Sequence, residues 1–523
     1  MRPRRPRWRP DAVGVLLATA AATLALTPGL LPRDGVTQGV VSGVAAAVGY
    51  GLGAGLSALL SAAAWRPGRR LSAAVPVAAA VAFVPAVAVA AGWQREAAAL
   101  TGTAPPSTAS FLLAVPVTAV VAAVPVLAGR GLRGLARGLR RRGVPAPGLA
   151  VALVVVLLVG AAGWAAVGAA ERASRARDDE PGPVDGPPAA ATRSGSAASL
   201  VPWTTLGRDG RRFVAGGRPP GQLAAASGRP ARDPVRVYVG LASAPDPRAR
   251  AALAVAELDR AGGFDRGVLA LATPTGTGAV DPQVPDTLEL VRGGDAATVA
   301  VQYATLPSDL DYALGGTGGV ESTRALLDAV RERLATRPPE RRPRLLVYGQ
   351  SLGALGSQAA FASLDDVTAQ VDGALWAGPP HASPLWAGLV ARRDPGSPEV
   401  LPVVDGGRTV RFAGRPGDLD GTRARVVYLQ HPSDPVVWAS PDLFWRRPSW
   451  LAEPRGADVP PSVRWWPLVT GWQTVVDLAR AQSVPPDHGH RYDALLVDGW
   501  AAVAAPPGWT AADTARAREA FGR

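Results

Sequence analysis

One serine between two glycines, in LLVYGQSLGALGSQAAFASL (residues 345–364), is where this sequence most clearly offers chemistry. Gly349 and Gly353 flank Ser351 at the spacing G-x-S-x-G, with Gln350 before the serine, after an apolar run and ahead of a helical pattern. That spacing suits a nucleophile on a strained strand-to-helix turn, because side chains two positions away would collide with neighbouring backbone. A serine hydroxyl is a poor nucleophile alone. It needs an imidazole to take its proton and a carboxylate to orient the imidazole. Without them the same residues are an ordinary turn in a Gly-rich chain.

Four histidines are present. His381 and His431 each follow a strand-like run, whereas His488 and His490 share PPDHGHRYDALLVDGW near the C-terminus. A nucleophile elbow implies the chain order serine, acid, histidine, which selects the last pair. His490 is preferred as the base, because Gly489 frees the backbone beside it and a helical pattern follows; His488 remains the alternative or a supporting group. The acid is expected at Asp434, in HPSDPVVW at a turn opened by Pro435, with Asp372 and Asp477 as weaker alternatives. Acyl transfer also needs two hydrogen-bond donors for an oxyanion. One is the N–H of Leu352, directly after the serine. The second is assigned to Thr275 and Gly276 in TPTGTG (273–278), with GLASAPD (240–246) as the competing loop. No His, Asp and Glu cluster has metal-ligand spacing, so neither a metal nor another cofactor is expected.

These residues have to be positioned by regular elements. Short β-type runs at 235–241, 267–274, 297–306, 344–349, 371–378 and 424–430 alternate with helical patterns. The alternation predicts an α/β domain with a mostly parallel sheet covered on both faces.

The front of the chain is different. Apolar stretches at about 12–31, 37–64, 71–92, 109–129 and 148–170 are each long enough, at roughly 20 residues, to cross a bilayer. Glycines in GYGLGAGLSALL (49–60) offer small faces on which helices pack closely in lipid. Arginines concentrate in the N-terminal tail, at 66–70 and at 130–142, while the intervening loops hold only Arg33 and Arg95. The positive-inside rule then puts the tail and those two loops in the cytoplasm, and five spans leave the C-terminal domain outside the cytoplasmic membrane. Residues 171–200, rich in Pro, Ala, Gly and Ser, read as a flexible linker between a membrane module (1–170) and a catalytic domain (201–523).

The net charge of +13 raises nucleic acid as a partner, and its distribution excludes it. Residues 1–177 carry a net +15 and the remainder −2, so the globular part offers a polyanion little. The partner to expect is the lipid bilayer. Cysteine is absent, which removes disulfides and thiolate metal sites. Six of the fifteen tryptophans fall between 438 and 472, between the expected acid and base, so about 436–480 reads as a lid or pocket wall.

The stretches TPGLLPRDGVTQGVVSGVAAAVGYGLG, VPWTTLGRDGRRFV, RVYVGLASA, ATPTGTGAVDP, VYGQSLGALGS and HGHRY resemble the bacterial, chiefly actinobacterial, membrane-anchored α/β-hydrolase family. The resemblance runs through almost the whole chain. It implies a multi-span N-terminal module joined to an α/β-hydrolase catalytic domain, with a Ser, Asp, His triad on Ser351, Asp434 and His490. The expectation is a serine hydrolase acting on an acyl ester of lipidic or cell-envelope origin. A transacylase using the same triad, or a scaffold that keeps the fold without activity, are the alternatives.

Overall fold

The computed structural model describes residues 11–62, 69–182, 184 and 186–522. The chain divides into two compact units, one of residues 1–164 with 439–485, the other of 165–438 with 486–523.

The second unit is built on seven parallel strands: β1 (Val235–Val239), β2 (Val268–Thr273), β3 (Ala296–Val301), β4 (Arg344–Gln350), β5 (Gly373–Ala377), β6 (Val410–Ala413) and β7 (Val426–Leu429). Their spatial order is β1-β3-β2-β4-β5-β7-β6. Five of them, β1, β2, β3, β5 and β7, are buried along their whole length, as strands covered on both faces must be. Helices Pro247–Arg260, Gly318–Ala335 and Leu352–Gln358 pack together on one side, and Gln283–Arg292, Asp493–Ala504 and Ala511–Phe521 pack together elsewhere on the sheet. The sequence reading missed β6, a four-residue strand with an exposed Arg411, too short to carry a periodic signal. The predicted run 297–306 is strand only to Val301.

The expected linker at 171–200 is instead structured over much of its length. The helix begun at Pro147 continues to Asp179. Thr192 to Ser194 then bond along the edge of β1, with Arg236 N–H donating to the Thr192 carbonyl (3.1 Å) and Ser194 N–H to that of Arg236 (3.0 Å). β1 is the last strand of the sheet, and its unpaired backbone groups account for the recruitment of this segment. Buried Glu257 holds the continuation, accepting hydrogen bonds from Ser194, Ser199 and the Leu200 N–H.

Among the described residues four helical segments are long and apolar enough to cross a membrane: Gly35–Ala62, Ala74–Leu100 and Thr108–Arg141 in the first unit, and Pro147–Asp179, which begins there and ends in the second. The first of the five expected spans is corrected. Ala12–Leu24 has 13 residues, about 20 Å at 1.5 Å per residue, against a hydrocarbon core of about 30 Å. It stops because the carbonyls of Ala25 and Thr27 turn to the side-chain amide of Gln473 (3.2 and 2.6 Å), while Leu30 N–H donates to Asp477 (2.9 Å). The glycines act by close approach. A Cβ on Gly39 would lie 2.5 Å from Val117, and one on Gly53 would lie 2.6 Å from the Val13 carbonyl oxygen.

The Trp-rich segment, expected as a lid or pocket wall, clusters with this first unit as residues 439–485. Its anchor is an ion pair between Arg33 and Asp477, both fully buried, with Nη2 to Oδ1 at 2.9 Å. Burial pushes the Asp477 carboxyl up and the Arg33 guanidinium opposes that shift, so Asp477 is a structural partner and not the acid of a triad. Trp438 stays with the second unit, where its indole donates to the His431 carbonyl (3.2 Å).

Candidate active site

Ser351 follows the last residue of β4 and precedes the helix Leu352–Gln358. Its φ of 55° and ψ of −127° are a conformation that non-glycine residues rarely adopt. The flanking glycines make it possible. A Cβ on Gly349 would lie 2.3 Å from the Gly353 carbonyl oxygen, and one on Gly353 would lie 2.4 Å from that of Thr273. Ser351 is half-buried, and its N–H donates to the Ala377 carbonyl at the end of β5 (3.0 Å).

Asp434 lies beyond β7, at the same C-terminal end of the strands, and is fully buried. Its Oδ2 accepts from His490 Nδ1 (2.7 Å) and from the Tyr492 hydroxyl (2.6 Å), while Oδ1 accepts from the Val436 N–H (2.8 Å). A carboxylate facing Nδ1 selects the tautomer protonated there and leaves Nε2 a lone pair. His490 Nε2 is buried and makes no hydrogen bond among the described residues. The Gln350 side-chain amide, one residue before the serine, donates to the His490 carbonyl (3.4 Å), bringing the base loop to the elbow.

Several residues that make this arrangement possible were not singled out in the sequence. Gly378 has φ of 52°, and a Cβ there would lie 2.5 Å from His490 Cε1 and 2.9 Å from Asp434 Oδ2. Only a glycine after β5 leaves room for the pair. Tyr492 is fully buried, and both burial and the adjacent Asp434 hold its hydroxyl pKa well above the ordinary value, so it remains a donor. His431 stacks on Tyr492 with ring centres 4.4 Å apart, and its Nδ1–H donates to the Gly489 carbonyl (2.8 Å). Ser433 Oγ accepts from the Gly489 N–H (2.9 Å), so both backbone groups of that glycine are gripped. The signal for Tyr492 was present in HGHRY, as an aromatic two places after His490.

Other expected residues fall elsewhere. His488 is half-buried, and the donors to Asp434 among the described residues are His490, Tyr492 and the Val436 N–H. Asp372 sits at the opposite end of the strands, where its side chain accepts from Leu345 N–H (2.8 Å) near the start of β4. Leu352 N–H, in the first turn of its helix, makes no hydrogen bond among the described residues. Thr275 and Gly276 are corrected as backbone donors. The Thr275 N–H is engaged by the Ala279 carbonyl (2.9 Å) and that of Gly276 by Ser308 Oγ (3.2 Å). The loop closes on itself and on the segment after β3.

Comparison with known proteins finds two matches. Residues 235–517 match the model of an alpha/beta-hydrolase family, and residues 26–218 match the model of an alpha/beta-hydrolase family N-terminus. No curated protein and no solved structure matches the chain.

Proposed function

Because the chain belongs to this alpha/beta-hydrolase family, we propose that it is a membrane-anchored serine hydrolase that cleaves an ester or related acyl bond, with Ser351 as nucleophile, His490 as base and Asp434 as orienting acid. The observation that carries the reading is the buried Asp434–His490 pair at 2.7 Å, at the end of the strands where Ser351 occupies its strained turn. In the first step Ser351 Oγ attacks the acyl carbonyl as His490 Nε2 takes its proton. Charge developing on the carbonyl oxygen is met by the Leu352 N–H. His490 then returns the proton to the leaving alcohol, and water repeats the sequence on the acyl-serine. Labelling with a fluorophosphonate probe tests the assignment, through the variant taken up in the Discussion.

Tyr492 acts in this scheme as a positioning residue. Tyr492→Phe removes one hydrogen bond to a buried carboxylate, worth about 1.5–3 kcal/mol. The expected result is a folded protein whose kcat on a short-chain aryl ester falls about tenfold or more with KM little changed. An unchanged kcat would remove Tyr492 from the scheme.

The catalytic unit is placed outside the cytoplasmic membrane. The arginines at 66–70 and 130–142 put those two loops in the cytoplasm, and the span that begins at Pro147 then leads to the outer side. Arg33 is no exception to the loop asymmetry, because Asp477 neutralises it. This location, and the grouping of 439–485 with the apolar helices, favour a lipidic or envelope acyl substrate. The absence of cysteine makes orientation directly measurable. Ala189→Cys should react with a membrane-impermeant maleimide in cells whose outer envelope is permeabilised, and Arg141→Cys only after lysis. The opposite pattern would reverse the orientation.

A further inference from the structure

Within the excursion 439–485 of the first unit lies a cavity of about 410 Å³, lined by Arg447, Arg455 and Arg464 with Leu451, Val463 and Trp465. Each guanidinium is bonded only to main-chain carbonyls among the described residues: Arg447 to Leu451, Arg455 to Pro461, and Arg464 to Pro461 and Val463. No carboxylate pairs with any of the three among those residues. Partial burial, together with Arg464 and Arg447 nearby, lowers the Arg455 pKa. Three like charges around one hollow repel one another, and an anion between them would be attracted by all three and offset that repulsion.

The place of the cavity narrows the choice of anion. Ser462, between the cavity residues Pro461 and Val463, donates to Glu96 (2.9 Å), close to the end of the apolar segment Ala74–Leu100. The cavity is therefore level with the end of a candidate span, the depth at which lipid headgroups lie. The Trp465 indole is fixed by its bond to the Leu443 carbonyl (2.8 Å), giving the hollow an amphipathic wall of the kind found at that depth.

We propose that this cavity binds a phosphoryl anion presented by the headgroup of an anionic phospholipid. Guanidinium forks match phosphoryl oxygens in pairs, and Leu451 and Val463 line the rest of the hollow. The site shares no residue with the Ser351 centre and does not depend on the hydrolase reading.

The test uses the full-length protein in detergent, with dioctanoyl phosphatidylglycerol, dioctanoyl phosphatidylcholine and inorganic phosphate as probes. Phosphatidylglycerol should bind about tenfold or more tightly than phosphatidylcholine and be displaced by excess phosphate. The triple variant R447Q/R455Q/R464Q should lose about tenfold or more of that affinity, while its thermal unfolding without ligand stays near that of the parent. If the triple variant does not fold, Arg464→Gln, a change at an exposed residue, should still weaken phosphatidylglycerol several-fold. Inorganic phosphate binding as tightly as phosphatidylglycerol would overturn the lipid source and assign the site to a free anion. Equal affinity in parent and variants, or binding of neither anion, would overturn the site itself.

Discussion

Ser351→Ala is expected to abolish covalent labelling by a fluorophosphonate and to lower acyl-ester turnover by about three orders of magnitude or more. The proposed attack has no second nucleophile: the elbow places this one side chain at φ 55°, directly before the free N–H of Leu352. Alanine meets the same backbone strain as serine, so the fold and the thermal unfolding should be little altered. The comparison therefore separates loss of chemistry from loss of structure. A Ser351→Ala protein that still labels and hydrolyses ester like the parent would remove the nucleophile assignment and with it the proposed mechanism.

His490→Ala should have an effect of similar size, about 10³-fold or more on kcat, because no other group on Asp434 can take the serine proton. The remaining donors to that carboxylate are a tyrosine hydroxyl, kept protonated by burial, and a backbone N–H. His488→Ala should leave an active enzyme with at most a modest defect, since the pair is made by Nδ1 of His490 alone. Both variants are measured on one short-chain aryl ester, which avoids dependence on the natural substrate. Activity retained in His490→Ala and lost in His488→Ala would transfer the role to His488; activity retained in both would dismiss this loop as the source of the base.

The parts of the site legible in the sequence are those governed by neighbours along the chain. Gly349 is required by a collision with Gly353 within five residues, a local requirement that shows in G-x-S-x-G, whereas Gly353 is required by the Thr273 carbonyl of a neighbouring strand. The pairing of Asp434 with His490 spans 56 positions and was reachable only by adding an expected chain order to local turn signals. Gly378, His431 and Ser433 gave no comparable sign, because each matters through a contact made across loops. Thr275 and Gly276 went astray for the same reason: glycines mark a loop able to present N–H groups, but Ala279 and Ser308 decide whether those groups are free.

At the scale of the fold, the alternation of apolar runs with helical patterns was sufficient for a parallel α/β sheet, since strand burial and helix amphipathicity are written in local periodicity. Hydropathy likewise marked four of the membrane-length segments, because the cost of placing polar side chains in hydrocarbon acts residue by residue. What only the tertiary structure decided is how far such elements extend and what they pack against. Ala12–Leu24 stops short because Gln473 and Asp477 capture the chain beyond it, and the tryptophan-rich excursion joins the first unit because Arg33 needs a buried partner 444 positions away. A buried guanidinium must be paired wherever its carboxylate lies in the sequence, and no local pattern records that distance.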